Sequence, residues 1–194
     1  MPNMHDLPKV ILASASSRRH ELLAHLLSDF EIQTADIDET PQRDELPTDL
    51  VQRLAYSKAE AVWLKNPDAI VIGADTIVTY GHEIFGKPTS QNDSMVMLTK
   101  LSEQRHIVMT GVVMFAANKK ISKVVETEVE FTCLSNQQIQ AYWLTGEPQD
   151  KAGSYAIQGI GGKFVKRING SYSNVVGLPL VETHLMLTEM GIHS

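Results

Sequence analysis

The sequence predicts an α/β fold on three observations. Short apolar, β-branched runs alternate with segments of helical periodicity, turn and cap residues fall between them, and 194 residues with 43% hydrophobic content suffice for a sizeable core. One domain spanning residues 1–194 is expected, with two lobes sharing one sheet rather than a second independent core. No internal repeat or low-complexity linker interrupts it.

Val10 to Ala13 reads as a short buried strand, followed by a helix from about Arg18 to Leu27 with Leu22, Leu23, Leu26 and Leu27 on one face. Phe30 to Thr34 reads as a second strand, and the acidic, turn-rich residues Ala35 to Pro47 as a loop. A helix starts at Pro47-Thr48 and runs to about Leu64, where Asn66-Pro67 stops it. The continuous apolar run Ala69 to Ala74 suits a central strand covered on both faces. Thr76 to Tyr80 and Glu83 to Phe85 flank Gly81 as a hairpin, and Ser90 with Asp93 opens the next helix. Arg105 to Phe115 and Ile121 to Phe131 form two long strands around Asn118-Lys119-Lys120, in a second lobe. Ser135 and Gln138 make a capping box for a helix ending at Thr145-Gly146. A glycine-rich segment from Gly153 to Gly162, two short strands through Val176 and a helix after Pro179 complete the pattern.

A net charge of -6 opposes non-specific binding to nucleic acid or anionic membranes, since both need a basic surface field. The single cysteine, Cys133, excludes an internal disulfide and reads as a buried structural thiol. The polar, acidic start Met1 to Asp6 is unlike a signal peptide, and no run approaches the roughly 18 apolar residues of a membrane span. A cytoplasmic protein that meets no membrane is expected.

The chemistry concentrates at two strand ends. Arg18 and Arg19 open a helix directly after the strand, where the partial positive charge of the first turn opposes them. An anion reverses that sign, so a phosphate held by Ser14, free N–H groups and guanidinium forks accounts for their placement. Asp75 interrupts the apolar run Ile70 to Val78, and a carboxylate at a buried strand end is costly without a cation, metal or donor. Ligands in open α/β sheets lie at the carboxyl ends of strands, where Ser14 and Asp75 both fall. Lys58 lies on the helix after Pro47. A hard oxygen site for magnesium or manganese, using Asp75 with Glu39 or Asp38 and substrate phosphates, fits the acidic loop better than zinc fits His20 and His25.

Two glycine motifs fail on inspection. Gly81 to Pro88 nearly spells a phosphate-binding P-loop, but Pro88 replaces the required Ser or Thr, leaving Lys87 as a point charge for phosphate. Gly159 to Phe164 is no dinucleotide fingerprint, and its glycines suit a tight loop against a base or ribose.

Ser14 through Leu23, Gly73-Ala74-Asp75-Thr76, Gly86-Lys87-Pro88 and Asp150-Lys151-Ala152-Gly153 running into Gln158-Gly159 together resemble the Maf family of nucleoside triphosphate pyrophosphatases, over nearly the whole length. Ser17 departs from the family, which commonly has proline before the arginine pair. The resemblance implies a Maf/ITPase-like α/β fold: an elongated mixed β-sheet flanked by helices, two lobes with a central cleft, and a homodimer. It implies water attack on the α-phosphorus of a nucleoside triphosphate, releasing the monophosphate and pyrophosphate, with a divalent metal cation (Mg or Mn) as cofactor. Asp75 matches the proton acceptor. Arg18, Thr76 and Gln158 match specificity-linked positions. Ser14, Arg19, Lys58 and Lys87 fall at phosphate contacts, and Glu39 at a metal-linked carboxylate beside Asp75. Thr76 and Gln158 resemble the subgroup acting on dTTP and UTP, in a house-cleaning role. A 7-methyl-GTP pyrophosphatase and a nucleotide-binding regulator of cell division that needs no hydrolysis remain the alternatives.

Overall fold

A computed structural model describes residues 8–193; the acidic start Met1 to Asp6 lies outside them. Strands β1 (Val10–Ala13), β2 (Glu31–Ile32), β3 (Ile70–Tyr80), β4 (Glu83–Phe85), β5 (Arg105–Ala116), β6 (Lys119–Phe131) and β7 (Val165–Asn169) form one seven-stranded sheet. Its hydrogen-bonded order is β2-β1-β3-β5-β6-β7, with β4 pairing β3. The sheet is mixed: β1 runs parallel to β2 and β3, in register Val10↔Ile70 through Ala13↔Gly73, whereas β3–β4 and β6–β7 are antiparallel. The helices are α1 (Ser17–Leu23), α2 (Pro47–Trp63), α3 (Gln91–Leu101), α4 (Asn136–Trp143), α5 (Tyr172–Val176) and α6 (Leu180–Glu189). The mixed α/β class predicted from the sequence is the class observed. No described helix is long and apolar enough to cross a membrane.

The described residues divide into two compact units: 8–75, 110–124 and 177–193 in the first, 76–109 and 125–176 in the second. The first has a core of Ile11, Ala13, Ala55, Ala59, Val62, Val71, Val113 and Phe115. Gly73 is needed there, because a Cβ would lie 2.3 Å from the Ala55 carbonyl oxygen and 2.7 Å from the Ala59 nitrogen, so only glycine lets β3 approach α2 so closely. The second core gathers Leu98, Leu101, Val129, Phe131, Ile139, Tyr142, Tyr155 and Phe164 around edge-to-face aromatic contacts. Each such side chain stabilises by roughly 1.5–3 kcal/mol on burial.

Several boundaries differ from expectation. The first helix stops at Leu23 rather than Leu27, because the amides of His25 and Leu26 bond three residues back and tighten the last turn. The second strand shrinks to Glu31–Ile32. The runs before and after Asp75 form one eleven-residue strand, β3, so Asp75 lies inside it and not at its end. Only one of the two late strands forms; Tyr172–Val176 is helical, its first turn closed by the Asn174 amide donating to Ser171 Oγ at 3.2 Å. Cys133 is exposed, which corrects its reading as a buried thiol. The hairpin turn at Gly81 stands as expected, with φ of 60° that glycine adopts without strain.

Candidate active site

The turn from β1 into α1 is built by serines. Ser16 caps α1, its Oγ accepting from the Arg19 amide at 3.4 Å, and Ser14 Oγ accepts from the Ser16 amide at 3.2 Å. Ser14 Oγ also accepts from Arg19 Nη1 at 3.3 Å, while Arg19 Nε donates to the Gly177 carbonyl at 2.8 Å. The guanidinium is thereby aimed by one hydroxyl and one backbone oxygen. The first turn of α1 carries no acid to offset Arg18 and Arg19 against the helix dipole.

Compensation comes from β3 and the acidic loop. Burial lowers the Arg19 pKa from its ordinary value, the Asp75 carboxylate opposes that shift, Arg18 adds to it and Glu39 opposes it. The guanidinium stays charged all the same. Lys58, on α2, donates to Asp75 Oδ1 at 2.6 Å and pairs with Glu39 Oε1 at 2.7 Å. Asp75 is 8% exposed, and the Lys58 ammonium is the cation that the sequence required for a carboxylate inside an apolar strand. Ser14, Arg19, Glu39, Lys58 and Asp75 thus form one charged group within the first compact unit.

Two residues that sequence reasoning passed over hold the loop that carries Glu39. Arg53, also on α2, forks Glu45 through Nε at 2.6 Å and Nη2 at 2.8 Å, and its Nη2 donates to the Thr40 carbonyl at 3.1 Å. That fork holds the Glu45 carboxyl at about 2, far below the usual carboxylate range. Arg53 lies eight residues after Glu45, which precedes the helix, so no i, i+3 or i, i+4 pattern marks the pair in the sequence.

Thr76 follows Asp75 along β3, so its side chain points to the opposite face of the sheet. Lys87 and Gln158 are exposed residues of the second compact unit. The Lys87 turn is tied to the glycine-rich segment by the Gly153 amide, which donates to the Gly86 carbonyl at 3.1 Å. Gln158 lies just before a short 3-10 turn, Ile160–Phe164. In the same unit His106 is buried against the Tyr155 hydroxyl at 2.8 Å, and burial pushes its pKa down to about 4.

A family model described as Maf-like protein matches residues 9–190. The chain is 50% identical over 181 residues to a dTTP/UTP pyrophosphatase of Vibrio parahaemolyticus, covering 93% of this chain and 96% of that one. It is 51% identical over 191 residues to a dTTP/UTP pyrophosphatase of Shewanella oneidensis, covering 94% and 98%. Among solved structures, a HAM1 protein from Coxiella burnetii shares the fold alone, with a TM-score of 0.53 and 15% identity over 94% of this chain and 100% of that one. With a family model spanning both compact units and relatives that match half its residues nearly end to end, the chain belongs to the Maf-like protein family.

Proposed function

We propose that this protein is a nucleoside triphosphate pyrophosphatase that hydrolyses dTTP and UTP to the monophosphate and pyrophosphate. The relatives carrying that name support the substrate class. The observation that carries the chemistry is Asp75, a carboxylate inside β3 held 2.6 Å from the Lys58 ammonium. Water attacks the α-phosphorus, the new P–O bond forms in the monophosphate, and the bond to the bridging oxygen breaks as pyrophosphate leaves with its electron pair. Asp75 orients the water and takes its proton.

Phosphoryl transfer needs positioning and charge neutralisation more than covalent help. Arg18, Arg19, Lys58 and Lys87 supply positive charge to the phosphate oxygens. The Ser14 hydroxyl, accepting from Ser16 and Arg19, keeps its hydrogen to donate to a phosphate. Thr76 and Gln158 discriminate the nucleotide, since a glutamine amide donates and accepts at once and suits a pyrimidine edge bearing O4 and N3–H. Among the described residues no three His, Cys, Asp or Glu side chains converge on one metal position. Glu39 and Asp75 share one lysine and fit a magnesium or manganese ion that takes one or two carboxylates and completes its shell with substrate phosphates and water. Such a cation, when bound, polarises the phosphate and lowers the pKa of water.

Pyrophosphate release from a panel including dTTP, UTP, dATP and 7-methyl-GTP, with magnesium or manganese and with EDTA, tests this reading. Metal-dependent release selective for dTTP and UTP is expected. Comparable kcat/KM for 7-methyl-GTP and dTTP overturns the substrate assignment, and no release from any nucleotide overturns the reaction.

A further inference from the structure

Glu147 and Tyr142 take no part in the proposed chemistry, yet their side chains make four hydrogen bonds in the second compact unit. Tyr142, on α4, is 1% exposed, and its hydroxyl donates to Glu147 Oε2 at 2.5 Å while accepting from the Ala156 amide at 3.1 Å. Glu147 Oε1 accepts from the Ile160 amide and Oε2 from the Gly161 amide, each at 2.8 Å. Gln158 lies between these anchors, with Ala156 held before it and Ile160 and Gly161 held after it. The glycines leave room for the anchor: a Cβ on Gly159 would lie 1.9 Å from Glu147 Oε1 and push the carboxylate aside, and one on Gly161 would lie 2.5 Å from the Tyr142 hydroxyl and 2.9 Å from the Ala156 carbonyl oxygen. Burial raises the Glu147 pKa, but the bonds from Tyr142, Gly161 and Ile160 and the charge of Lys151 outweigh it, so the carboxyl sits below its ordinary value. Ionised, it can accept all three bonds at once.

We propose that Glu147 is the positioning residue for Gln158, its carboxylate pinning the glycine-rich turn directly after Gln158 and, through the Tyr142 hydroxyl that it fixes, at Ala156 before it, so that the amide meets the base in one register. The proposal rests on the reading of Gln158 as a base-recognition residue. Hydrolysis itself does not pass through Glu147. Its loss therefore weakens recognition of dTTP and UTP against other nucleotides more than it slows the turnover of bound substrate. Glu147→Gln keeps the size of the side chain but sets an NH2 group against a backbone or hydroxyl donor. Gly159→Ala displaces the same carboxylate without altering it, and Tyr142→Phe removes the two bonds of the hydroxyl, to Glu147 and from Ala156, while keeping the buried ring and both amide bonds to the carboxylate.

Steady-state kinetics on dTTP and dATP, with amide hydrogen exchange at Ile160 and Gly161, tests the proposal in the full chain. Glu147→Gln and Gly159→Ala are expected to raise KM for dTTP by about tenfold, with kcat held within about twofold. The dTTP preference should shrink toward that of Gln158→Ala, and the Glu147→Gln, Gln158→Ala double variant should lose nothing further. Exchange at Ile160 and Gly161 should accelerate. If Glu147→Gln does not fold, Tyr142→Phe should show the same pattern at smaller size. Equal losses for dTTP and dATP, additive losses in the double variant, or an unchanged preference overturn the positioning role. Unaltered exchange overturns the tether whatever Gln158 does, whereas a Gln158→Ala enzyme with intact preference overturns the base-recognition reading itself.

Discussion

In the first compact unit the buried titratable side chain, Asp75, lies 2.6 Å from the Lys58 ammonium, whereas in the second His106 lies 2.8 Å from the Tyr155 hydroxyl and is held neutral. The first unit buries charge and balances it with charge from a neighbouring helix. The second buries neutral polar groups and holds them by hydrogen bonds, such as Asn174 Nδ2 to the Val108 carbonyl at 3.1 Å and to Thr127 Oγ1 at 2.9 Å, with His106 bonded through Nε2 alone. The contrast follows from what each unit is proposed to do. Phosphate neutralisation and proton removal need charge, while holding a recognition loop needs directional bonds in a rigid aromatic core.

The largest expected effect on stability comes from breaking the ion pair on one side. Lys58→Met leaves Asp75 without its cation, and removing one partner of a buried pair costs roughly 3–5 kcal/mol. Urea unfolding should show a lower midpoint, and adding Asp75→Asn should restore much of it; no restoration would mean that the pair is not what balances the strand.

His106 should give the next effect, and only in acid. Its folded pKa of about 4 lies below the ordinary 6.5, so the unfolded chain binds the proton first. Its full contribution is present above pH 6.5 and is lost as pH falls toward 4, by roughly 3 kcal/mol in all. Denaturation measured across that window should show the loss in the parent and a shallower slope in His106→Gln.

Smaller substitutions separate the units. Gly73→Ala forces its Cβ against the backbone of α2 and should cost about 1–3 kcal/mol, with reduced turnover because it shifts the helix carrying Lys58. Ser135→Ala removes the α4 capping box, which lies in the other unit, and should cost about 1 kcal/mol with kcat unchanged. A fall in kcat with Ser135→Ala and none with Gly73→Ala would invert the assignment of chemistry to the first unit.

Local signals carried much of the fold into the sequence. Pro47 and Asn66-Pro67 bracket α2, Ser135 with Gln138 marks α4, and the β-branched runs mark β5 and β6. What escaped depends on partners distant in sequence. The continuity of β3 through Asp75 requires Lys58 from α2, so the run alone reads as a strand that ends. The Val175-Val176 pair reads as strand, but Ser171 closes a helical turn there. The charged group at Ser14, Arg19, Glu39, Lys58 and Asp75 was legible residue by residue. Its supports, Arg53 with Glu45 and the Gly177 carbonyl, were not, because each acts through a contact made only on folding.

The most direct test compares Asp75→Asn with Gln158→Ala in pyrophosphate release from dTTP at saturating magnesium. Asp75→Asn should lower kcat by about 10²–10⁴ with little change in KM. Gln158→Ala should raise KM and narrow the preference for dTTP while leaving kcat largely intact. Near-parental turnover in Asp75→Asn would contradict the assignment of the reaction to the charged group around β3.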